Sequence, residues 1–201
     1  MRVIGGTAKG RTLKSVPGDS TRPILDRVKT PLFDILRPHL SGVSVLDLFA
    51  GTGAVGIEAL SQGAAHCVFL DTNHRAISTI KENLATCSLS ERAEVRHTDA
   101  FIYLKNTAKT FDLIYVAPPQ YRGIWIEAMR AIAERPHLLR DPGNGVDTGS
   151  STQAPAGQVI LQIDPRNMRR FNLKLSKKSR GEHTAIRCLF FTAKNRFKRV
   201  K

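Results

Sequence analysis

Cysteine is scarce in this chain of 201 residues: Cys67, Cys87 and Cys188 are odd in number, far apart and include no CxxC pair. That excludes a disulfide framework and a cysteine zinc site, and it predicts a reduced, cytoplasmic protein. The six histidines show no HxxxH or comparable ligand spacing, so no metal is expected. No run approaches the roughly 18 apolar residues that a membrane helix needs, so no membrane partner is expected either. The opening MRVIGGTAKGR lacks an apolar stretch of secretory type. What is present, 41% hydrophobic and 24% charged residues, is a globular balance suited to one domain or one domain with a small appendage.

Acidic side chains are also few at the ends, three in residues 1–40 and one in residues 165–201. Residues 1–40 carry a net charge of +5 and residues 165–201 a net +12, while 41–164 carry −3. A solubilising surface would scatter both signs. A mildly acidic body with two basic ends predicts a polyanion bound by those ends.

From residue 41 onward the pattern alternates between strand and helix. Strands are predicted at Val43–Leu48, His66–Asp71, Ala93–His97, Phe111–Val116 and Gln158–Ile163, with helices near 54–61, 73–84, from Asp99 onward and over 123–134. This order predicts an α/β doubly wound, mostly parallel sheet, with ligands at the carboxyl ends of its strands. Residues 141–157, rich in Gly, Pro, Ser and Thr, read as a mobile surface loop. Phe171–Leu175 and Thr184–Thr192 are expected to form an antiparallel pair at the C-terminal sheet edge. At the other end, Arg2–Ile4 and Arg11–Lys14 flank Gly5, Gly6 and Gly10 and predict a basic β-hairpin. A helix over Asp26–Leu36 follows, with Pro31 expected near its first turn.

The first strand-to-helix turn is Asp47-Leu-Phe-Ala-Gly-Thr-Gly53. Gly51, Gly53 and Gly56 match a dinucleotide fingerprint, and Asp71 lies where a ribose-binding acid belongs. Asp47, however, ends the strand before the turn, where it would repel a pyrophosphate and welcome a cation. S-adenosylmethionine, with a sulfonium, an ammonium and a ribose diol but no phosphate, suits that pattern better than a nicotinamide cofactor. Asp71 is then the acceptor for two ribose hydroxyls. Asp99 is either an acceptor for an adenine amino group, beside neighbouring backbone N–H groups, or a plain helix N-cap. Ala117-Pro-Pro-Gln120 ends the fourth strand, and its prolines leave carbonyls unpaired by the sheet and free to grip an exocyclic amine.

With these residues in place, the chain resembles the bacterial 16S ribosomal RNA guanine-N2 methyltransferases. The likeness runs through RVIGG-x-x-KGR-x-L, Arg22-Pro23 with Asp26-Arg27-Val28, DLFAGTGAVGIEALSQGA, Asp71, Asp99 and the Pro-Pro loop. It implies a Rossmann-like class I methyltransferase domain over 41–201 preceded by an RNA-facing element over 1–40. It implies S-adenosyl-L-methionine held by Asp47, Phe49, Gly51, Gly53, Asp71, Asp99 and Ala100. Arg2, Lys9, Arg11, Arg22 and Arg27 would meet 16S ribosomal RNA or the assembling small subunit, and Ala117, Pro118, Pro119 and Tyr121 would meet the target base. One departure stands out: the family's Asp or Asn before Pro-Pro is Ala117 here, and the aromatic residue after it is Gln120, with Tyr121 one place later.

Three other readings remain at this point. A nicotinamide-dependent oxidoreductase would explain the glycines and Asp71 but not the basic ends. Another nucleobase amine, adenine N6 included, is a competing substrate. A catalytically weak RNA-binding assembly factor would explain the charge and Ala117 together.

Overall fold

The computed structural model describes residues 1–18, 26–119, 123–140, 157–162, 187–191 and 198–200. Helix α1 spans Asp26–Leu36 and strand β1 Ser44–Asp47. They are followed by α2 (Ala54–Ser61), β2 (His66–Asp71), α3 (His74–Thr86), β3 (Ala93–His97), α4 (Ala100–Asn106), β4 (Leu113–Val116) and α5 (Ile124–Ala133). The remaining strands are β5 (Gln158–Gln162), β6 (Arg187–Phe191) and β7 (Lys198–Val200). They form one sheet in the order β3-β2-β1-β4-β5-β6-β7. Every pairing is parallel until β7, which runs antiparallel to β6. Of the edge pair expected from sequence, Phe171–Leu175 lies outside the described residues, as does the expected loop over 141–156. β6 falls within the other expected segment and pairs with both β5 and β7. The three residues of β7, Lys198-Arg-Val200, are too few and too polar to show a strand period.

The strands adjoining β1 are buried on both faces, as parallel strands covered by helices must be. One apolar layer lies between the sheet and α1, α2 and α3 and includes Val45, Phe69, Tyr115, Ile57, Leu60, Phe33 and Ile80. The opposite layer packs Leu46, Val68, Ile114 and Val159 against Leu104, Trp125 and Met129 of α4 and α5. On α1 the stripe Val28, Leu32, Phe33 and Leu36 is buried. Pro31 is the sixth residue of α1 rather than a first-turn residue, because the helix already starts at Asp26. Its ring therefore removes an N–H from the helix interior.

Every residue of α2 is buried. A helix apolar nearly all round needs cover on its outer side as well, and residues 1–16 provide it. Val3, Ala8 and Leu13 join the same apolar layer as α2. The expected hairpin is present as a single antiparallel bridge, Arg2 with Thr12. It is extended by hydrogen bonds from Val3 N to Arg11 O at 3.0 Å and from Leu13 N to Met1 O at 2.9 Å. Gly6 is required where this arm crosses α2: its φ is +74°, and a Cβ there would lie 1.7 Å from the Ser61 carbonyl oxygen.

At the far side of the sheet, among the described residues, β3 is the edge strand. It carries Glu94 paired with Arg96 at 2.6 Å and with Lys109 of the following loop. No helix among the described residues is long and apolar enough to cross a membrane.

Candidate active site

Strand order reverses direction at β1, so the carboxyl ends of β1, β2 and β4 border the crevice where open α/β sheets bind ligands. Beyond Asp47 the chain stays sewn to its neighbours: Leu48 N donates to Tyr115 O at 3.1 Å and Ala50 N to Leu70 O at 2.9 Å. The turn then closes with Gly53 N to Ala50 O at 2.7 Å. Gly51 (φ +54°) and Gly53 (φ +76°) both occupy the left-handed region, where a side chain would be strained. A Cβ on Gly51 would meet nothing within 4 Å, so open room lies above the turn there. Gly56 has another duty: a Cβ would approach the Phe69 ring to 2.3 Å, so its bareness lets α2 lie close on β2.

Two carboxylates border this turn. Asp71, half-buried at the end of β2, accepts from Gly51 N at 2.9 Å through Oδ2 and from Asn73 N at 2.8 Å through Oδ1. It thus pins the glycine turn to the next strand, with lone pairs left over on both oxygens. Asp47 was expected to face a ligand. It ends β1, yet it is only 1% exposed, because the turn folds back over it. Its Oδ1 has no hydrogen-bond partner. Burial raises its pKa from the usual 3.8 to about 7, opposed by the Gly56 N–H, supported by the charge of Asp71 and opposed again by the Phe49 N–H. Any influence of Asp47 on a ligand is therefore electrostatic, across the turn. Tyr115 packs beside it and bonds to Gln162; burial first, and the Asp47 charge second, push its phenol well up.

Asp99 serves as the N-cap of α4: Oδ1 accepts from Phe101 N at 2.8 Å and Ile102 N at 3.1 Å. The cap uses one oxygen, so the two sequence readings of Asp99 are compatible. Ala100, the first helical residue, is buried and Phe49 is half-buried. Beside them, the His74 and His97 rings stack at 3.7 Å, and His97 Nε2 contacts the Thr72 carbonyl at 2.8 Å. Past β4, Ala117 is half-buried, Pro118 buried and Pro119 exposed, while Tyr121 lies outside the described residues. Arg2, Lys9 and Arg11 are exposed on the arm. Arg22 lies outside the described residues, and of Arg27 only its place in α1 is described.

Sequence reading missed the residues that fasten the arm. Lys29 contributes to the +5 of residues 1–40, but its side chain is 0% exposed and pairs with the equally buried Glu58 at 2.9 Å. Lys29 also donates to Arg2 O at 2.5 Å. Glu58 accepts from Ile4 N at 2.9 Å, Gly5 N at 2.8 Å and Gln62 Nε2 at 2.7 Å. Ser61 accepts from Ala8 N at 2.9 Å and donates to Gly5 O at 2.6 Å. A signal existed: Glu58 is the lone charge in the otherwise apolar AVGIEALS.

Residues 1–163 match the family described as conserved hypothetical protein 95. Ribosomal RNA small subunit methyltransferase D of Haemophilus influenzae is 36% identical over 138 residues, spanning 67% of this chain and 71% of that protein. The chain belongs to this methyltransferase D family. YlbH of Bacillus subtilis is 43% identical over 146 residues, 71% of this chain and 79% of that protein. The solved structure of Escherichia coli yhhF superposes with a TM-score of 0.60 at 35% identity, covering 67% of this chain and 73% of the other. Within this family the fold is Rossmann-like, as its parallel sheet and switch-point turn require.

Proposed function

We propose that the chain transfers the methyl group of S-adenosylmethionine to the exocyclic N2 of a guanine in 16S ribosomal RNA. The observation that carries this reading is the glycine turn pinned by Asp71, with open room over Gly51 and an exposed basic arm fastened to the helix that the turn begins. Relatives named small subunit ribosomal RNA methyltransferases support the substrate class.

The residues present fit such a donor. Room above Gly51, a carboxylate with spare lone pairs at Asp71 and a bare buried oxygen on Asp47 suit a ligand with a ribose diol and positive charge. A pyrophosphate would meet two carboxylates. Asp71 would hold the ribose hydroxyls, and Asp47 would attract the cationic end through its field. Asp99, through the oxygen the cap leaves, and the Ala100 N–H would meet the adenine, with Phe49 beside it. The sulfonium supplies an already activated methyl group, so the protein's task is alignment and exclusion of water.

Guanine N2 is a poor nucleophile because its lone pair delocalises into the ring. The carbonyls of Ala117 and Pro118 would accept the two amino hydrogens and favour a pyramidal nitrogen, with the proton released to water after transfer. On the sequence, Tyr121 is the candidate for stacking the unpaired base. Arg2, Lys9, Arg11, Arg22 and Arg27 would neutralise phosphates.

The test is to map methylated nucleotides in ribosomal RNA from cells with and without this protein. Loss of one N2-methylguanine from 16S RNA is the expected result. Loss of an N6-methyladenine would overturn the base assignment. Ala117 favours one second reading, a catalytically silent assembly factor. Single-turnover transfer separates the two: no product from the wild type would sink the enzyme reading.

A further inference from the structure

Asn83 lies in the middle of α3, wholly buried, at the point where a polar residue interrupts the apolar stripe between Ile80 and Leu84. Its amide has three partners. Oδ1 accepts from Lys14 N at 2.7 Å, and Nδ2 donates to Lys14 O at 3.1 Å and to Thr52 O at 2.9 Å. Lys14 ends the basic arm that carries Arg11. Thr52 is the middle residue of the Gly51-Thr52-Gly53 turn. One side chain thus uses both amide protons and its carbonyl to join two segments that the sequence keeps 38 positions apart. Asp would lack the donors, and an apolar residue would leave three backbone groups without this partner, the Thr52 carbonyl in a buried bond among them.

A polar side chain satisfied in a core needs no further role if all its partners belong to one element. Here they belong to the two parts that the proposed function assigns to different ligands. Each part also has its own independent anchor. The turn is held by Asp71 on Gly51 N, and the arm by Glu58 on Ile4 and Gly5. Glu58 and Ser61 tie the start of the arm to α2, and Asn83 adds the one side-chain tie, among the described residues, that joins the arm's end directly to the turn.

We infer that Asn83 is a positioning residue that registers the RNA-holding arm against the methyl-donor turn, so that bound base and methyl group meet in line. The inference rests on the function proposed above. In-line transfer tolerates little misplacement, and an error of about 1 Å can cost about a hundredfold in rate. Without Asn83 each ligand keeps its own contacts, and the loss falls on the transfer step.

The experiment compares wild type with Asn83→Ala and Asn83→Gln, the latter keeping the amide on a longer stem should the alanine variant not fold. Three quantities are read: S-adenosylhomocysteine affinity by calorimetry, affinity for a 16S RNA fragment by filter binding, and single-turnover methyl transfer with both ligands saturating. Both affinities are expected to stay within about threefold while transfer slows by about tenfold or more, a barrier rise of about 1.4 kcal/mol. Transfer at the wild-type rate overturns the inference, as does a slowing that vanishes once both ligands saturate, since a merely structural residue would act through affinity or stability. A wild type that transfers no methyl group to RNA overturns the functional reading and the inference together. A wild type that transfers, with variants that transfer equally well, overturns the role of Asn83 alone.

Discussion

Two buried carboxylates stand 11 residues apart, and the chain treats them in opposite ways. Glu58 receives an ammonium, two backbone N–H groups and an amide. Asp47 receives backbone N–H groups from Gly56 and Phe49 but, among the described residues, no counter-ion, and one of its oxygens is bare. Burial alone therefore does not decide what a charge is for. A carboxylate whose lone pairs are taken holds structure. One left wanting takes up a proton near pH 7, and a cation placed beside it would hold it ionised.

The first way to break the contrast is to leave Glu58 as wanting as Asp47. Lys29→Met removes the counter-ion and should destabilise the fold by about 3–5 kcal/mol, the usual cost of stranding one member of a buried pair. Urea unfolding checks it. Adding Glu58→Gln, which keeps an acceptor for the Ile4 and Gly5 N–H groups, should recover part of the loss.

The second way is to remove the deficit at Asp47. Its pKa in the folded protein, about 7, lies above the ordinary 3.8. The folded state therefore binds the proton more tightly than the unfolded chain. The stability linked to this site is fully present below pH 3.8 and is lost as the pH rises through about 7. The full shift corresponds to at most about 4 kcal/mol. Asp47→Asn should thus be more stable than wild type at pH 8, by about 2 kcal/mol once its unpaired amide is allowed for, with the advantage gone near pH 4. Unfolding midpoints of both proteins across that range measure it. A wild type whose stability holds flat from pH 4 to 8 would contradict the assignment.

Asp71 stands between the two extremes, half-buried, with two N–H donors and spare lone pairs. Asp71→Ala should weaken S-adenosylhomocysteine binding by about 1.5–3 kcal/mol, read by calorimetric titration, and free the Gly51 and Asn73 N–H groups that it now holds. The smallest effect belongs to the arm that Glu58 holds. Arg11→Gln should lower RNA affinity modestly and flatten the log–log salt slope by about 0.7, one single-strand phosphate's worth. Titrations at four salt concentrations would show it.

Much of the fold was legible in the sequence because parallel strands are short, apolar and β-branched. The runs holding SVLD, LIYV and QVILQ stand out on that basis, and the observed strands lie within the expected ones. The glycine turn was legible because its spacing serves backbone geometry: Gly51 and Gly53 supply left-handed φ angles and Gly56 a close approach to Phe69. Counting charge by segment failed at Lys29, since a tally of cations carries no information about which of them faces inward. Asn83 and Glu58 were passed over for a related reason. A helical stripe is recognised by its apolar members, and a lone polar residue within it reads as noise until its partners, far away in sequence, are placed beside it. Asp47 was read correctly as the end of β1, but its burial was not legible, because strand position says nothing of how the following turn folds back.

The guarded edge of the sheet bears on how the protein keeps company with itself. A strand at a sheet boundary offers a row of open N–H and C=O groups on which another chain can add a strand. Along β3 the side chains at that boundary are Glu94, Arg96 and, from the neighbouring loop, Lys109, already engaged with one another. A second molecule docking there would have to break those pairs or bury their charges. Charged side chains are one means by which a strand end is made unattractive to a second strand, and β3 bears them where, among the described residues, no further strand pairs with it.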